Sequence, residues 1–475
     1  MEPHVKISAL LPSLNVADYI EQCIRSVMDQ TLREIEILCI DAGSDDGTAE
    51  IIRRLAEEDD RIQFITVDVR SYGYQMNLGL KIAKGEYIAI VETDDYIDTD
   101  MFEQLYKKAS QYSLDMVKGT LYESYAAAGG EEKEILWDYI SDEYNADTVL
   151  APDEDTRVHA WDGNIWNGIY RTDFLRSHKI TFQETPGAAF QDIAFQQMVL
   201  NEASAVMYTK QHFYHYRRVR EGASTFNPKC TQFIKVAYSG LLADERLKAS
   251  HKRYIYSRLA WAYLNELRKV LCLCDYKIDN MDYPESAEWF EGEIKKALGE
   301  GIFSFFDVDE WNRDEVMLFF ADKGAYMHYI QAQMEALYGW LDLLKEKKGG
   351  RELVIFGMGN YGYSLLLFLI KNGVWIDGIA DNQKWSNNTS FYDWKVMSAD
   401  DAMRYYSDAF YLIANKRYGG AIIQQLERGG IDRKQMLLFD GSDKELLKGI
   451  RRCPILARRH KKIQFSRKDG WEFHS

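Results

Sequence analysis

The sequence predicts an α/β protein of more than one domain, and three observations carry that expectation. Residues 5–122 alternate short apolar runs with amphipathic stretches, residues 230–345 hold long helical patterns, and Gly349-Gly350 opens a second, smaller alternating unit. Strand–helix alternation implies a mainly parallel sheet. A chain of 475 residues has room for several such units at roughly 100–200 residues each.

The elements follow in order. VKISALLPS reads as a first strand. Ala17–Gln30 reads as a helix, with Ile20, Cys23, Ile24, Val27 and Met28 on one face. IEILCIDAG has the continuous apolar character of a strand covered on both faces. Thr48–Glu58 is a helix, IQFITVD a third strand, Tyr74–Ala83 a helix, and YIAIVETDD a fourth strand that runs into carboxylates. Ligands of such sheets bind beyond the carboxyl ends of the strands. Ser13, Asn15, Asp41 to Asp45, Asp94 and Asp95 all fall there. Residues 123–220 are more irregular and rich in aromatics. In the last unit ELVIFGMGNYGYSLLLFLIKNG is strand, turn and helix, and WIDGIADN and FYLIANK supply later strands. The expected division is 1–225, 226–348 (mostly helical), 349–442, and a basic tail at 443–475.

Composition narrows the function classes. Hydrophobic residues at 46% and charged residues at 28% are ordinary for a globular protein. The six scattered cysteines lack zinc-site spacing, so they read as reduced thiols of a cytoplasmic protein. MEPHVKISALLPSLN reads as a first strand, not a signal peptide. SLLLFLI at 364–370 falls well short of the ~20 apolar residues of a spanning helix. A net charge of −16 argues against nucleic-acid binding, which needs a basic face. Lys444 to Ser475 nevertheless carries ten Lys/Arg against three Asp/Glu. That segment is either a solvated tail or a peripheral contact with an anionic membrane surface at the inner face. The helical segment either spans domains or pairs with a second copy in a homo-oligomer.

Glu92-Thr93-Asp94-Asp95 follows the apolar run YIAIV. Clustered carboxylates repel one another unless a cation sits between them. Magnesium and manganese prefer oxygen ligands and share them with substrate phosphates. The cluster therefore reads as a metal–diphosphate site, or else as an acidic turn capping the next helix. In DAGSDDGT at 41–48, Gly43 and Gly47 permit turn conformations, and Ser44, Asp45 or Asp46 can cap the helix that follows. Asp41 can accept hydrogen bonds from a base or ribose.

KISALLPSLNVADYIEQCIRSVMDQTLREIEILCIDAGSDDGTAEII followed by YGYQMNLGLKIAKGEYIAIVETDDYI resembles the family 2 glycosyltransferases, whose nucleotide-sugar-binding domain has the GT-A fold. The likeness is close over residues 5–122 and looser to about 220. It implies an enzyme moving a sugar from a nucleotide-sugar donor, a UDP-sugar, to a saccharide, lipid-linked or protein acceptor. The cofactor implied is Mn2+ or Mg2+. Pro12, Leu14 and Asn15 would line the nucleotide pocket, with Gly43 in the turn beyond it. Asp41 would bind the base, Asp94 would approach the ribose or diphosphate, and Asp94 and Asp95 would hold the metal. The chain departs from the family pattern at Ala42 and Glu92, where acidic residues and Asp are usual.

IWNGIYRTDFL and AAFQDIAFQQMVL match the family's acceptor side, with Gln191 in place of the usual Glu. An inverting transfer needs a carboxylate to deprotonate the acceptor hydroxyl; Asp192 would take that role, or else caps the helix from Ile193 to Glu202. HFYHYRRVREGAST at 212–225 fits the closing aromatic–basic segment. Arg217, Arg218 and Arg220 suit diphosphate oxygens. His215 either completes the metal shell or packs among the aromatics.

Gly357-Met358-Gly359-Asn360-Tyr361-Gly362 follows a strand and opens a helix, and Asp381 ends the next strand. This is the spacing of a dinucleotide fingerprint with its ribose-binding acid, and the unit resembles small Rossmann-like domains. Gly357, Gly359, Gly362 and Asp381 therefore mark a second nucleotide-type site. They also keep a second reading open, an NAD-dependent sugar-nucleotide oxidoreductase or epimerase.

Overall fold

A computed structural model describes residues 4–126, 132–137, 146–156, 158–161, 163–218, 229–273, 283–383, 390–391 and 394–452. Most of the basic tail (453–475) and Arg220 lie outside them. The chain divides into two compact units, residues 1–330 with 388–395, and residues 331–387 with 396–475.

The first unit is built on a nine-stranded mixed sheet. Its strands are β1 (Ile7–Ser13), β2 (Ile35–Asp41), β3 (Ile62–Thr66), β4 (Tyr87–Ile90), β5 (Tyr96–Ile97), β6 (Met116–Ala126), β7 (Glu132–Trp137), β8 (Gly168–Arg171) and β9 (Val206–Arg217). The order is β3-β2-β1-β4-β8-β6-β9-β5, with β7 pairing on β6. β1 pairs in parallel with both β2 and β4. All seven residues of β1 and of β2 are buried, as their unbroken apolar runs require of strands covered on both faces.

The helices Ala17–Met28 and Thr48–Glu58 fall where the spacing places them, with Ile20, Cys23, Ile24 and Val27 of the first turned inward. The third helix, Tyr72–Ile82, starts two residues earlier than its periodicity suggests, because the Ser71 hydroxyl caps it by accepting from Tyr74 N. The segment HFYHYR is not a flap. It is the end of β9, paired with β6 and β5 inside the sheet. Helices Cys230–Leu242, Ala249–Leu273 and Tyr283–Gly299 complete this unit. Among the described residues no helix is long and apolar enough to cross a membrane.

The second unit carries parallel strands in the order Trp394–Met397, Gly378–Ala380, Leu353–Phe356, Phe410–Ala414, Met436–Phe439. Val354, Phe356, Ala380, Tyr411 and Ile413 form its core with Ile422 and Leu426.

Candidate active site

Three strand ends meet beyond the carboxyl edge of the first sheet, and side chains lace them together. After β1, Pro12 O accepts from Thr93 Oγ1 at 2.7 Å. Asn15 N donates to Ser44 Oγ at 2.9 Å, and Asn15 Oδ1 accepts from Asp45 N at 3.0 Å. Asn15 holds φ +53°, a left-handed conformation that Asn tolerates better than most residues. Gln75 reaches up from its helix and donates to Ser13 O and Ile40 O at 3.0 and 2.6 Å. Leu14 and Asn15 stay partly exposed at this edge, where a nucleotide pocket was expected.

Asp41 does something other than face a ligand. It is 1% exposed. Its two oxygens accept from Gly43 N, Ser44 N, Ser44 Oγ and Ser13 Oγ at 2.5–3.1 Å. Four donors fill the roughly four acceptor sites of a carboxylate, so Asp41 builds the loop rather than binding a base directly. Ala42 beside it is buried as well.

The carboxylate cluster separates by exposure. Glu92 and Asp94 are partly exposed, whereas Thr93 and Asp95 are buried. Asp95 accepts from Arg217 N at 2.8 Å and from Tyr214 Oη at 3.0 Å, one bond to each oxygen. Burial and the neighbouring Asp94 push its pKa well above the usual carboxylate value, against those two bonds. These two bonds fasten the β4 loop to β9 and occupy one lone pair of each Asp95 oxygen. Glu92 and Asp94 are the hard-oxygen donors that stay partly exposed. Among the described residues no group of three or more His, Cys, Asp or Glu encloses a metal ion. Two carboxylates completed by substrate phosphates are nevertheless the ordinary donor set for magnesium, and Glu92 with Asp94 fits it.

His215 packs among aromatics and carboxylates, the second of its two readings. Its Nδ1 lies 2.6 Å from Glu134 Oε1 and its Nε2 3.0 Å from Asp98 Oδ1. The ring stacks between Tyr96 and Tyr122 at centroid distances of 4.3 and 5.0 Å. Burial alone would lower its pKa, but the bonds to Asp98 and Glu134 outweigh it and raise the pKa to about 9. An imidazolium donating from both nitrogens has no lone pair for a cation. Arg217 is likewise engaged, donating to Asp94 O at 2.7 Å and Gln22 Oε1 at 2.6 Å and lying over Tyr19 and Tyr96. Arg218 is ion-paired with buried Glu123.

Asp192 lies in the first turn of helix Gln191–Glu202, and burial raises its pKa against the hydrogen bond from Ile193 N. Phe190, just before, holds φ +63°. Strained positions of this kind persist only where their surroundings over-determine them, and here they do. Gln191 donates to Thr185 Oγ1 at 2.7 Å and Gly187 O at 3.1 Å. A glutamate could still accept from the Thr185 hydroxyl but would set an oxygen against Gly187 O, which can only accept. Gly187 O in turn accepts from Tyr72 N at 2.9 Å. Tyr72 Oη donates to Glu92 Oε1 at 2.6 Å. Gly73 allows this close approach, since a Cβ there would lie 2.0 Å from Gln183 O. Sequence reasoning missed Tyr72, Tyr214 and Gln191 as builders of the site. The extra methylene of Glu92 over Asp is the signal that a partner lies further away.

In the second unit Met358 N donates to Asp381 Oδ2 and Gln383 N to Oδ1, each at 2.8 Å. Asp381 thus shapes the glycine turn. Gly362 is required there, because a Cβ would lie 2.0 Å from Gly357 O.

Comparison with known proteins agrees with this geometry. Residues 8–177 match the model of Glycosyl transferase family 2. The chain is 28% identical over 276 residues to the uncharacterized glycosyltransferase EpsJ of Bacillus subtilis, covering 56% of this chain and 74% of that one. It is 26% identical over 303 residues to a poly(ribitol-phosphate) beta-glucosyltransferase of Bacillus spizizenii, covering 60% of this chain and 44% of that one. The crystal structure of S. aureus TarS 1–349 in complex with UDP-GlcNAc superposes with a TM-score of 0.52 at 18% identity, over 69% of this chain and 91% of that one. Residues 8–177 therefore match a glycosyl transferase family 2 domain, the fold is like that of the GT-A neighbour, and the relatives mark the chain as a glycosyltransferase.

Proposed function

We propose that this domain is an inverting transferase that moves a sugar from a UDP-sugar to a hydroxyl acceptor in the making of a surface polysaccharide or glycoconjugate. The observation that carries the reading is the link from Glu92 through Tyr72 to Gly187, which joins the donor-side carboxylates to the loop leading into Asp192. The relatives support it: one is named for glucosyl transfer to poly(ribitol-phosphate), and the structural neighbour is titled with UDP-GlcNAc bound.

The chemistry follows from the side chains. Asp192 removes the proton of the acceptor hydroxyl as its oxygen attacks the anomeric carbon. The bond from that carbon to the diphosphate breaks, and the nucleoside diphosphate departs with the electron pair. Burial raises the basicity of the Asp192 carboxylate, which favours it as a general base. Glu92 and Asp94 are the residues that would hold Mn2+ or Mg2+. When bound, the ion supplies neutralisation of charge on the departing diphosphate. Pro12, Leu14 and Asn15 border the nucleotide, and the loop built on Asp41 and Gly43 shapes its far wall.

Calorimetric titration of UDP, GDP and NAD into the intact chain, with and without Mn2+, tests this. Metal-dependent binding of a nucleoside diphosphate, lost in Asp94→Ala, is expected. Tight NAD binding without diphosphate binding would overturn the reading.

A further inference from the structure

Residues 178–190 join helix Thr172–Ser177 to helix Gln191–Glu202, which carries Asp192 in its first turn. An irregular segment has to find partners for its backbone N–H and C=O groups, and this one takes several from the donor side of the site. Asn77, on helix Tyr72–Ile82, pairs with Phe182 in both directions. Its Nδ2 donates to Phe182 O at 3.0 Å, and its Oδ1 accepts from Phe182 N at 2.8 Å. The same Nδ2 donates to Glu184 Oε1 at 2.8 Å. Asn77 thus meets the loop much as a neighbouring strand would. Four residues earlier on the same helix face, Gly73 admits the Gln183 carbonyl. Further along the loop, Gly187 N donates to Arg70 O at 2.9 Å.

The anchorage continues to the helix that holds Asp192. The Phe182 ring stacks on Phe195 at a centroid distance of 4.1 Å and an interplanar angle of 9°. Phe195 is fully buried and stands three residues after Asp192, on the same face of its helix. Gln183 makes a second attachment, with Nε2 donating to Ala237 O at 3.1 Å. Ala237 belongs to helix Cys230–Leu242, beyond the residues matched by the family model. Gly240 on that helix leaves the space that the amide fills, since a Cβ there would lie 2.2 Å from Gln183 Nε2. Two helices far apart in the chain therefore hold two consecutive residues of the loop.

We propose that Asn77 and Gln183 are positioning residues: they fasten the loop before Asp192 to the donor-side helix and to a helix beyond the family domain, and so fix where the Asp192 carboxylate stands. The assignment rests on the reading of Asp192 as the base. It gives helix Cys230–Leu242 a part in the transfer, through Ala237 O and Gly240.

The test is steady-state UDP release from UDP-glucose and UDP-N-acetylglucosamine by the intact chain. The variants are Asn77→Ala, Gln183→Leu, Asp192→Asn, and Asn77→Ala combined with Asp192→Asn. Rates are referred to the sites that bind UDP with Mn2+ in a calorimetric titration, so that unfolded chain is not counted. Misplacing a catalytic group by about 1 Å can cost about a hundredfold. Asn77→Ala is therefore expected to lower kcat about tenfold or more, with the donor KM and the UDP Kd within about twofold of wild type. Gln183→Leu, which removes one neutral hydrogen bond, should lower kcat about threefold. Effects of residues that act as a unit do not add, so the double variant should be no slower than Asp192→Asn alone. Should Asn77→Ala fail to fold, Asn77→Asp, which keeps the acceptor for Phe182 N, replaces it. Wild-type kcat in either single variant would overturn the assignment of that residue, even where its melting temperature falls. A further loss of about tenfold in the double variant would overturn it too, since Asn77 would then act elsewhere than through Asp192. Full turnover in Asp192→Asn would instead remove the base itself, and the assignment with it.

Discussion

The Tyr72 hydroxyl donates to Glu92 Oε1 at 2.6 Å, while the Tyr72 backbone N–H donates to Gly187 O at 2.9 Å. One residue thus ties the donor-side carboxylates to the loop that precedes Asp192. A hydrogen bond to a charged group contributes about 1.5–3 kcal/mol. Tyr72→Phe should therefore lower turnover about tenfold or more with the fold intact, as steady-state kinetics and circular dichroism would measure together. Wild-type kinetics in this variant would dissolve the link.

Asp94 and Asp95 should behave differently. Asp95→Ala strands two buried donors, Arg217 N and Tyr214 Oη. Each costs about 1–3 kcal/mol, so the melting temperature should fall. Asp94→Ala, at a partly exposed position, should leave the melting temperature nearly unchanged and abolish metal-dependent diphosphate binding. The reverse pattern in a calorimetric melt and titration would return the metal to Asp95.

His215 gives a stability signature in alkali. Its folded pKa of about 9 lies above the unfolded value of about 6.5. Its contribution is then complete below pH 6.5 and is lost as the pH rises through 9, by at most about 3 kcal/mol. The difference in melting temperature between wild type and His215→Gln should shrink from pH 6 to pH 10. A constant difference would mean that the imidazolium is not what holds Asp98 and Glu134.

Much of this was legible in the residues, because the framework is local. The apolar runs of β1 and β2 specify strands covered on both faces, and the glycine and carboxylate turns fall at their ends. What sequence could not place was set by distant partners. Glu134 and Asp98 approach His215 from 81 and 117 positions away, so its spacing from His212 carried no information. The choice between Asp94 and Asp95 was not visible either, because Glu92–Asp95 is a turn closed by Asp95 N donating to Glu92 O at 3.0 Å, where strand periodicity does not apply.

Gln191 holds the loop before Asp192 through its amide. Gln191→Glu would set a buried oxygen against Gly187 O, to which the amide now donates, at a cost of about 1–3 kcal/mol. A drop in turnover of about tenfold is expected, partly recovered at acidic pH as the new carboxyl takes up a proton. Stopped-assay kinetics from pH 5 to pH 8 would show it, and an unimpaired variant would contradict the loop's role.

The most direct test of the central claim is nucleoside diphosphate release from a panel of UDP- and GDP-sugars by the intact chain, with Asp192→Asn alongside. General-base catalysis contributes about a hundredfold to ten-thousandfold. The account predicts release from at least one donor, reduced at least about a hundredfold in the variant while diphosphate binding persists. Undiminished release by Asp192→Asn, or no release from any donor, would contradict it.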